Sequence, residues 1–352
     1  MENDAVPRTH GIVLAGAYPG HSSLDLLGPR SLLPAAQQPL VSYPLRWMAK
    51  GGIDTATICA NSAARAIRAS LNGSAYGLRL DYLEDWSPRG AAGCARDAGL
   101  RTKAETFVVA DGTSVPVLAL EELLEQHRTS GAAITVVVEA DAAGRMQPTG
   151  VYAFDRRALA LVPEDGFQDI KEKLIPALYA AGEHVATHAA RGGAPRVVNA
   201  YSYLVLNQWL VERASRHRDS PAGFRSAGET ILHHSAVVDP TARLLGPVLL
   251  GAGVEVRAGA TLVGPVSVGP GTTIGAGAVV SRSVLWSGCF VGDRAFVDRS
   301  MLSDRAIVAP GGAVVSTLKA GGPRVEAPGR RVRWAPWEAV TAALRPATPH
   351  DA

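Results

Sequence analysis

The chain has 352 residues, 47% of them apolar, which is enough for a full-sized core and a second domain. Its 35 basic and 32 acidic side chains leave a formal charge of +3, so no single-sign field calls for nucleic acid or an anionic membrane. No run of about eighteen uncharged apolar residues occurs, and Met1–Pro7 lacks a basic region leading into an apolar one, so a cytoplasmic chain without a membrane span is expected. Cys59, Cys94 and Cys289 are too scattered for a disulfide framework or a metal knuckle and read as small core residues.

Strand-like apolar runs come first, at Gly11–Gly16, Thr55–Ala60, Leu78–Leu83, Thr106–Ala110 and Ala132–Val138, with helix-like segments at Leu40–Lys50 and Leu118–His127 between them. That alternation predicts a mostly parallel sheet covered by helices on both faces, with ligands beyond the carboxyl ends of its strands. The loop after the first strand runs Leu14-Ala15-Gly16-Ala17-Tyr18-Pro19-Gly20-His21, and Gly28-Pro29-Arg30 follows. Two readings fit it: backbone N–H groups approaching a base or phosphate with Arg30 as the pairing cation, or a structural turn beside a surface arginine. Farther on, Asp169 and Glu172 precede the apolar run Leu174–Leu178 and are expected to open a helix as cap and acidic first turn.

The second half is periodic. Branched residues stand six apart at Val238, Leu244, Leu250, Val256, Leu262, Val268, Ile274 and Val280, and a smaller residue such as Ala236, Ala242, Ala260 or Ala278 sits two places before most of them. Six fits neither a helix nor simple strand alternation, but it fits a triangular coil in which each hexapeptide forms one flat side. After Val280 the register slips by one, resumes at Leu285, Val291 and Val297, and weakens through Ile307 and Val314, so roughly four to five coils are expected. A sandwich would need turns every 8–12 residues or so instead. Stacked coils leave a flat face and open ends, which points to oligomer contact or docking against the first domain. His233 and His234 precede the first good repeat, and the tail from Gly321 carries a short helical stretch at Trp337–Leu344.

The fold class read from the sequence is therefore an α/β Rossmann-like domain, mixed but mostly parallel, over 1–225, a left-handed parallel β-helix over 229–318, and a tail over 319–352. In order and spacing, Leu14-Ala15-Gly16, Pro29-Arg30-Ser31-Leu32-Leu33-Pro34, Gln38-Pro39-Leu40, Arg89-Gly90-Ala91-Ala92-Gly93, Gly150-Val151-Tyr152, Asp169-Ile170-Lys171-Glu172 and Tyr203-Leu204 resemble the sugar-1-phosphate nucleotidylyltransferases, or NDP-sugar pyrophosphorylases, especially mannose-1-phosphate guanylyltransferase-like members. That family joins an NTP to a sugar 1-phosphate by in-line attack at the α-phosphorus, with cations and carboxylate-held Mg²⁺ neutralising the phosphates. The resemblance implies nucleotide contacts from Leu14, Ala15, Gly16, Gly90 and Gly93, Arg30 and Asp111 as catalytic residues, Asp111 as metal ligand, and Lys171 and Asn199 as substrate-binding positions.

Several departures accompany the match. Where the family has an arginine in a Gly-x-Gly-Thr-Arg signature, this chain has His21 or Ser22. The stretch that normally opens with a second metal-binding Asp reads Arg196-Val197-Val198-Asn199-Ala200-Tyr201, and no Glu-Lys-Pro segment lies between Glu139 and Gly150. The expected function is a catalytically impaired or regulatory nucleotide- or NDP-sugar-binding member that assembles through its β-helix, as a homo-oligomer or with an active paralogue. The alternative is a divergent active nucleotidylyltransferase using Arg30, Asp111 and Lys171; Mg²⁺ would be its cofactor if active, and none otherwise. A β-helix acyltransferase using His233 or His234 is the third reading.

Overall fold

Six residues, Thr-His-Gly-Ile-Val-Leu, form β1 (Thr9–Leu14), and its four central positions are all buried, as a strand covered on both faces requires. In the computed structural model, which describes residues 9–16, 23–61, 63–71, 76–85, 87–141, 143–190, 192–217 and 223–321, β1 is the hub of a seven-stranded sheet. The expected loop positions Ala17–Ser22 and the tail stretch Trp337–Leu344 lie outside the described residues.

A short β2–β3 hairpin (Pro34–Ala35, Gln38–Pro39) leads into α1 (Ser42–Lys50), then β4 (Thr55–Ala60), α2 (Ala64–Leu71), β5 (Arg79–Glu84), α3 (Gly90–Gly99) and β6 (Thr106–Asp111). After these come α4 (Leu120–Ser130), β7 (Ile134–Ala140), β8 (Met146–Asp155), α5 (Arg156–Ala160), α6 (Ile175–Ala180) and β9 (Val185–Ala189). The strand order is β5-β4-β1-β6-β8-β7-β9, and β8 alone runs antiparallel to its neighbours. Side chains alternate between two cores. Ile12, Cys59, Phe107, Ile134 and Phe154 pack with α3 and α5, while Val13, Ile58, Val108 and Val137 pack with α1, α2 and α4 on the other face. From β1 the chain steps outward to β4 and β5, then crosses back to β6 on the opposite side of β1. The connections thus diverge beyond the carboxyl ends of β1 and β6.

The chain divides into two compact units, Met1–Val198 and Asn199–Ala352. The division falls before α7 (Ala200–His217), which packs on the coils. Its buried Tyr203 meets Trp286 edge to face at 6.4 Å and accepts the indole N–H at 3.0 Å, and Gln208 Nε2 donates to the Arg282 carbonyl at 2.8 Å. Among the described residues no helix is long and apolar enough to cross a membrane.

The rest of the second unit is a three-sided parallel β-helix. An antiparallel hairpin, β10 (Phe224–Ala227) with β11 (Thr230–His233), leads into the first wall, and two five-stranded parallel sheets form the others. The branched residues of the hexapeptide pattern point inward and stack as rungs, Val238 on Val256 on Ile274 on Val291 on Val308. The slip after Val280 is a change of corner. Gly264-Pro265 turns one coil, whereas Arg282 alone turns the next, and Arg299 and Ser316 repeat it, with φ of 46°, 45° and 47°. The same inter-coil bond survives the exchange: Gly264 N–H donates to Leu245 O at 2.8 Å and Arg282 N–H to Val263 O at 2.9 Å.

If inward rungs carry this unit, Leu262→Ala should cost about 2–5 kcal/mol in denaturant unfolding, while outward Leu245→Ala should stay within about 0.5 kcal/mol. Equal losses from both would contradict the rung assignment.

Candidate functional site

Two strand ends build the site. Past β1, Ala15 N–H donates to Cys59 O at 2.8 Å, and past β6, Gly112 N–H donates to Leu14 O at 2.8 Å, so both loops leave the sheet side by side. The approach is tight at Gly112: a Cβ there would lie 3.1 Å from the Ala15 backbone. The loop after β6 is pinned farther on by Trp47 Nε1, which donates to Leu118 O at 2.8 Å. Between these loops lies a cavity of about 500 Å³, within the range of small-ligand sites.

Leu14, Ala15, Gly16, Arg30 and Asp111 all line that cavity, so the structure brings together five of the residues expected at the site. The Arg30 guanidinium is held by Asp25 in a two-point pair, Nε to Oδ1 at 2.6 Å and Nη2 to Oδ2 at 3.0 Å. That hydrogen bond raises the Arg30 pKa against the opposing effect of burial, and the Asp25 and Asp111 charges add to it. Asp111 ends β6; its Oδ1 accepts from both the amide and the hydroxyl of Thr113 at 2.8 Å. Sequence reasoning missed three charged wall residues, Asp25, Glu139 and Arg196. Glu139 was legible as the polar residue following the buried run Ala132–Val138. Burial raises its pKa, and the Arg196 charge pulls it the other way. Arg196 opens the stretch in which the resemblance places an Asp, and its Nη1 donates to the Pro148 carbonyl at 3.2 Å. Tyr152, at the same end of the sheet, has its pKa pushed up to about 12, chiefly by burial and then by Asp111 and Asp169, against Arg196.

Four expected residues are placed away from this wall. Gly90 opens α3 at φ +73°, and the Gln168 carbonyl takes the α3 amides of Ala92 and Gly93 at 2.9 and 3.5 Å. Lys171 is exposed, and its amide donates to Asp169 Oδ1 at 2.7 Å, so Asp169 caps the turn as its position suggested. Asn199 belongs to the second unit, where its Oδ1 caps α7 by accepting from Ser202 N–H at 2.9 Å. His233 and His234 stack on each other at 4.2 Å in the β11 region. Burial raises the thiol of Cys289, in the β-helix core, to about 11, and burial followed by Asp85 raises that of half-buried Cys94 to about 12.

The side chains present fit Mg²⁺ poorly. Asp25 is committed to Arg30, one oxygen of Asp111 is committed to Thr113, and a guanidinium stands at the position of the second expected carboxylate. Among the described residues no group of three or more His, Cys, Asp and Glu side chains could hold a metal ion, which leaves Asp111 and Glu139 as the wall carboxylates that could meet a Mg²⁺ held mainly by phosphates.

Residues 24–187 match a protein family described as Nucleotidyl transferase. The mannose-1-phosphate guanylyltransferase of Mycobacterium tuberculosis (strain ATCC 25618 / H37Rv) is 24% identical over 275 residues, spanning 67% of this chain and 73% of that protein.

Gly90→Ala should destabilise the fold by about 1–3 kcal/mol, since the new Cβ would combine a positive φ with a 2.5 Å contact to Gln168 O. A thermal melt checks this; an unchanged melting temperature would show that the α3 junction tolerates a side chain.

Proposed function

We propose that the chain is a catalytically impaired, regulatory member of the sugar-1-phosphate nucleotidylyltransferases that binds a nucleotide or NDP-sugar in this cavity; the match of residues 24–187 to the Nucleotidyl transferase family and the similarity to a mannose-1-phosphate guanylyltransferase support it. The observation that carries this reading is the Asp25–Arg30 pair. In-line phosphoryl chemistry needs cations aimed at charge that develops in the transition state. The cation expected for that task is already neutralised at two points by its own chain. Binding makes smaller demands, and the cavity has the volume, the backbone approach at Leu14–Gly16 and a second guanidinium to meet them. In this proposal the protein works in the cytoplasm, and its β-helix is the surface for assembly with itself or with an active paralogue.

The experiment is pyrophosphate release by the folded protein with each NTP, a panel of sugar 1-phosphates and Mg²⁺, run beside thermal-shift titrations with the same nucleotides. The expected result is a raised melting temperature with at least one nucleotide and no pyrophosphate above background. Release with one NTP–sugar pair would instead establish the divergent active enzyme, which the shared placement of Arg30 and Asp111 in one cavity favours.

Asp25→Asn should leave Arg30 free to face a ligand and tighten nucleotide binding by roughly threefold to tenfold, in line with a charge-assisted hydrogen bond. Calorimetric titration of the variant measures it, and weaker binding would mean that the pair positions Arg30 instead of restraining it.

A further inference from the structure

Sorting the cations of the cavity by their ion pairs singles out one of them. Arg30 is paired at two points with Asp25. Arg196 donates one N–H to Pro148 O, and among the described residues no carboxylate forms an ion pair with it, although its charge acts on Glu139 in the same wall. Pro148 pairs with Val138 in the β7–β8 ladder, beside a register shift between Val136 and Val138, so the acceptor that holds this guanidinium belongs to the sheet. An arginine held by one N–H keeps other donors of its planar fork for a phosphate. Asp111 and Glu139 line the same cavity.

We propose that Arg196 takes the place of a divalent cation: its guanidinium holds the diphosphate of a nucleoside diphosphate or NDP-sugar, and binding is metal-independent. This rests on the nucleotide-binding reading of the same cavity. The charge count supports it. A carboxylate at position 196 with a bound divalent ion would contribute minus one plus two, a net of one positive charge; a guanidinium contributes the same charge alone. Asp111 and Glu139 therefore meet the same net charge at that position without a metal. The geometry differs, since a guanidinium grips two phosphate oxygens in one plane whereas Mg²⁺ draws them into an octahedral shell.

The test is calorimetric titration of the full-length protein with GDP, ADP, UDP and pyrophosphate, in EDTA and again in excess Mg²⁺, for wild type, Arg196→Gln, Arg196→Lys and Arg196→Asp. The expected result is equal wild-type affinity in EDTA and Mg²⁺, about a tenfold to hundredfold loss in Arg196→Gln, and partial recovery in Arg196→Lys. Arg196→Asp should bind only when Mg²⁺ is added. Circular dichroism and melting of each variant separate lost binding from lost folding. Wild-type binding that appears only with Mg²⁺, or a folded Arg196→Gln that binds as wild type does, would overturn the inference while leaving the nucleotide-binding reading in place. A wild type that binds none of the probes in either buffer would overturn both.

Discussion

The first unit depends on how closely two strand ends approach each other. β1 and β6 are neighbours in the sheet, yet their connections leave toward opposite sides, and their loops run side by side with Gly112 close against the Ala15 backbone. The cavity wall draws residues from the first loop, from the β6 loop, from the ends of β7 and β8, and from the segment after β9 that carries Arg196. Asp111 and Glu139 reach it because β6 and β7 end at this edge, whereas Asp25, Arg30 and Arg196 reach it from connecting segments. Burial in two apolar cores makes the edge rigid, with Ile12 and Val13 pointing into opposite layers from one strand.

Electrostatics then decide what the cavity can do. A transferase site holds uncompensated cations and a metal for the charge that appears on phosphate oxygens. Here the cations are distributed differently: Arg30 is matched to Asp25, while Arg196 is anchored to a backbone carbonyl. At the α3 junction, Gln168 O takes the amides of Ala92 and Gly93, and a Cβ at Gly90 would meet the Gln168 backbone, so this segment packs closely on the start of α3.

The second unit obeys a simpler rule. Each coil must place a branched residue inward and return the chain to the same height, and the corner is the adjustable part. A Gly-Pro pair and a single left-handed Arg or Ser solve the corner with one residue of difference, while the walls above and below remain paired. α7 joins this unit through the Tyr203–Trp286 contact, which satisfies the indole N–H and the phenol together inside an apolar layer.

Much of this was legible before any coordinates. The six-residue period specified the β-helix, because only inward rungs produce it, and the slip after Val280 marked the corner change. Runs such as Thr55–Ala60 specified buried parallel strands, because both of their faces had to be apolar. The Leu14–Gly16 and Arg30 motifs pointed to the strand end where the cavity lies. The sequence could not show that Arg30 is spent on Asp25, that Gly90 and Gly93 pack under Gln168, that Asn199 caps a helix, or that Glu139 and Arg196 share a wall with Asp111. Patterns along the chain encode which side of an element is buried. Which charges meet depends on residues far apart in sequence, such as Glu139 with Arg196 or Arg30 with Asp111, and only the folded sheet brings those together.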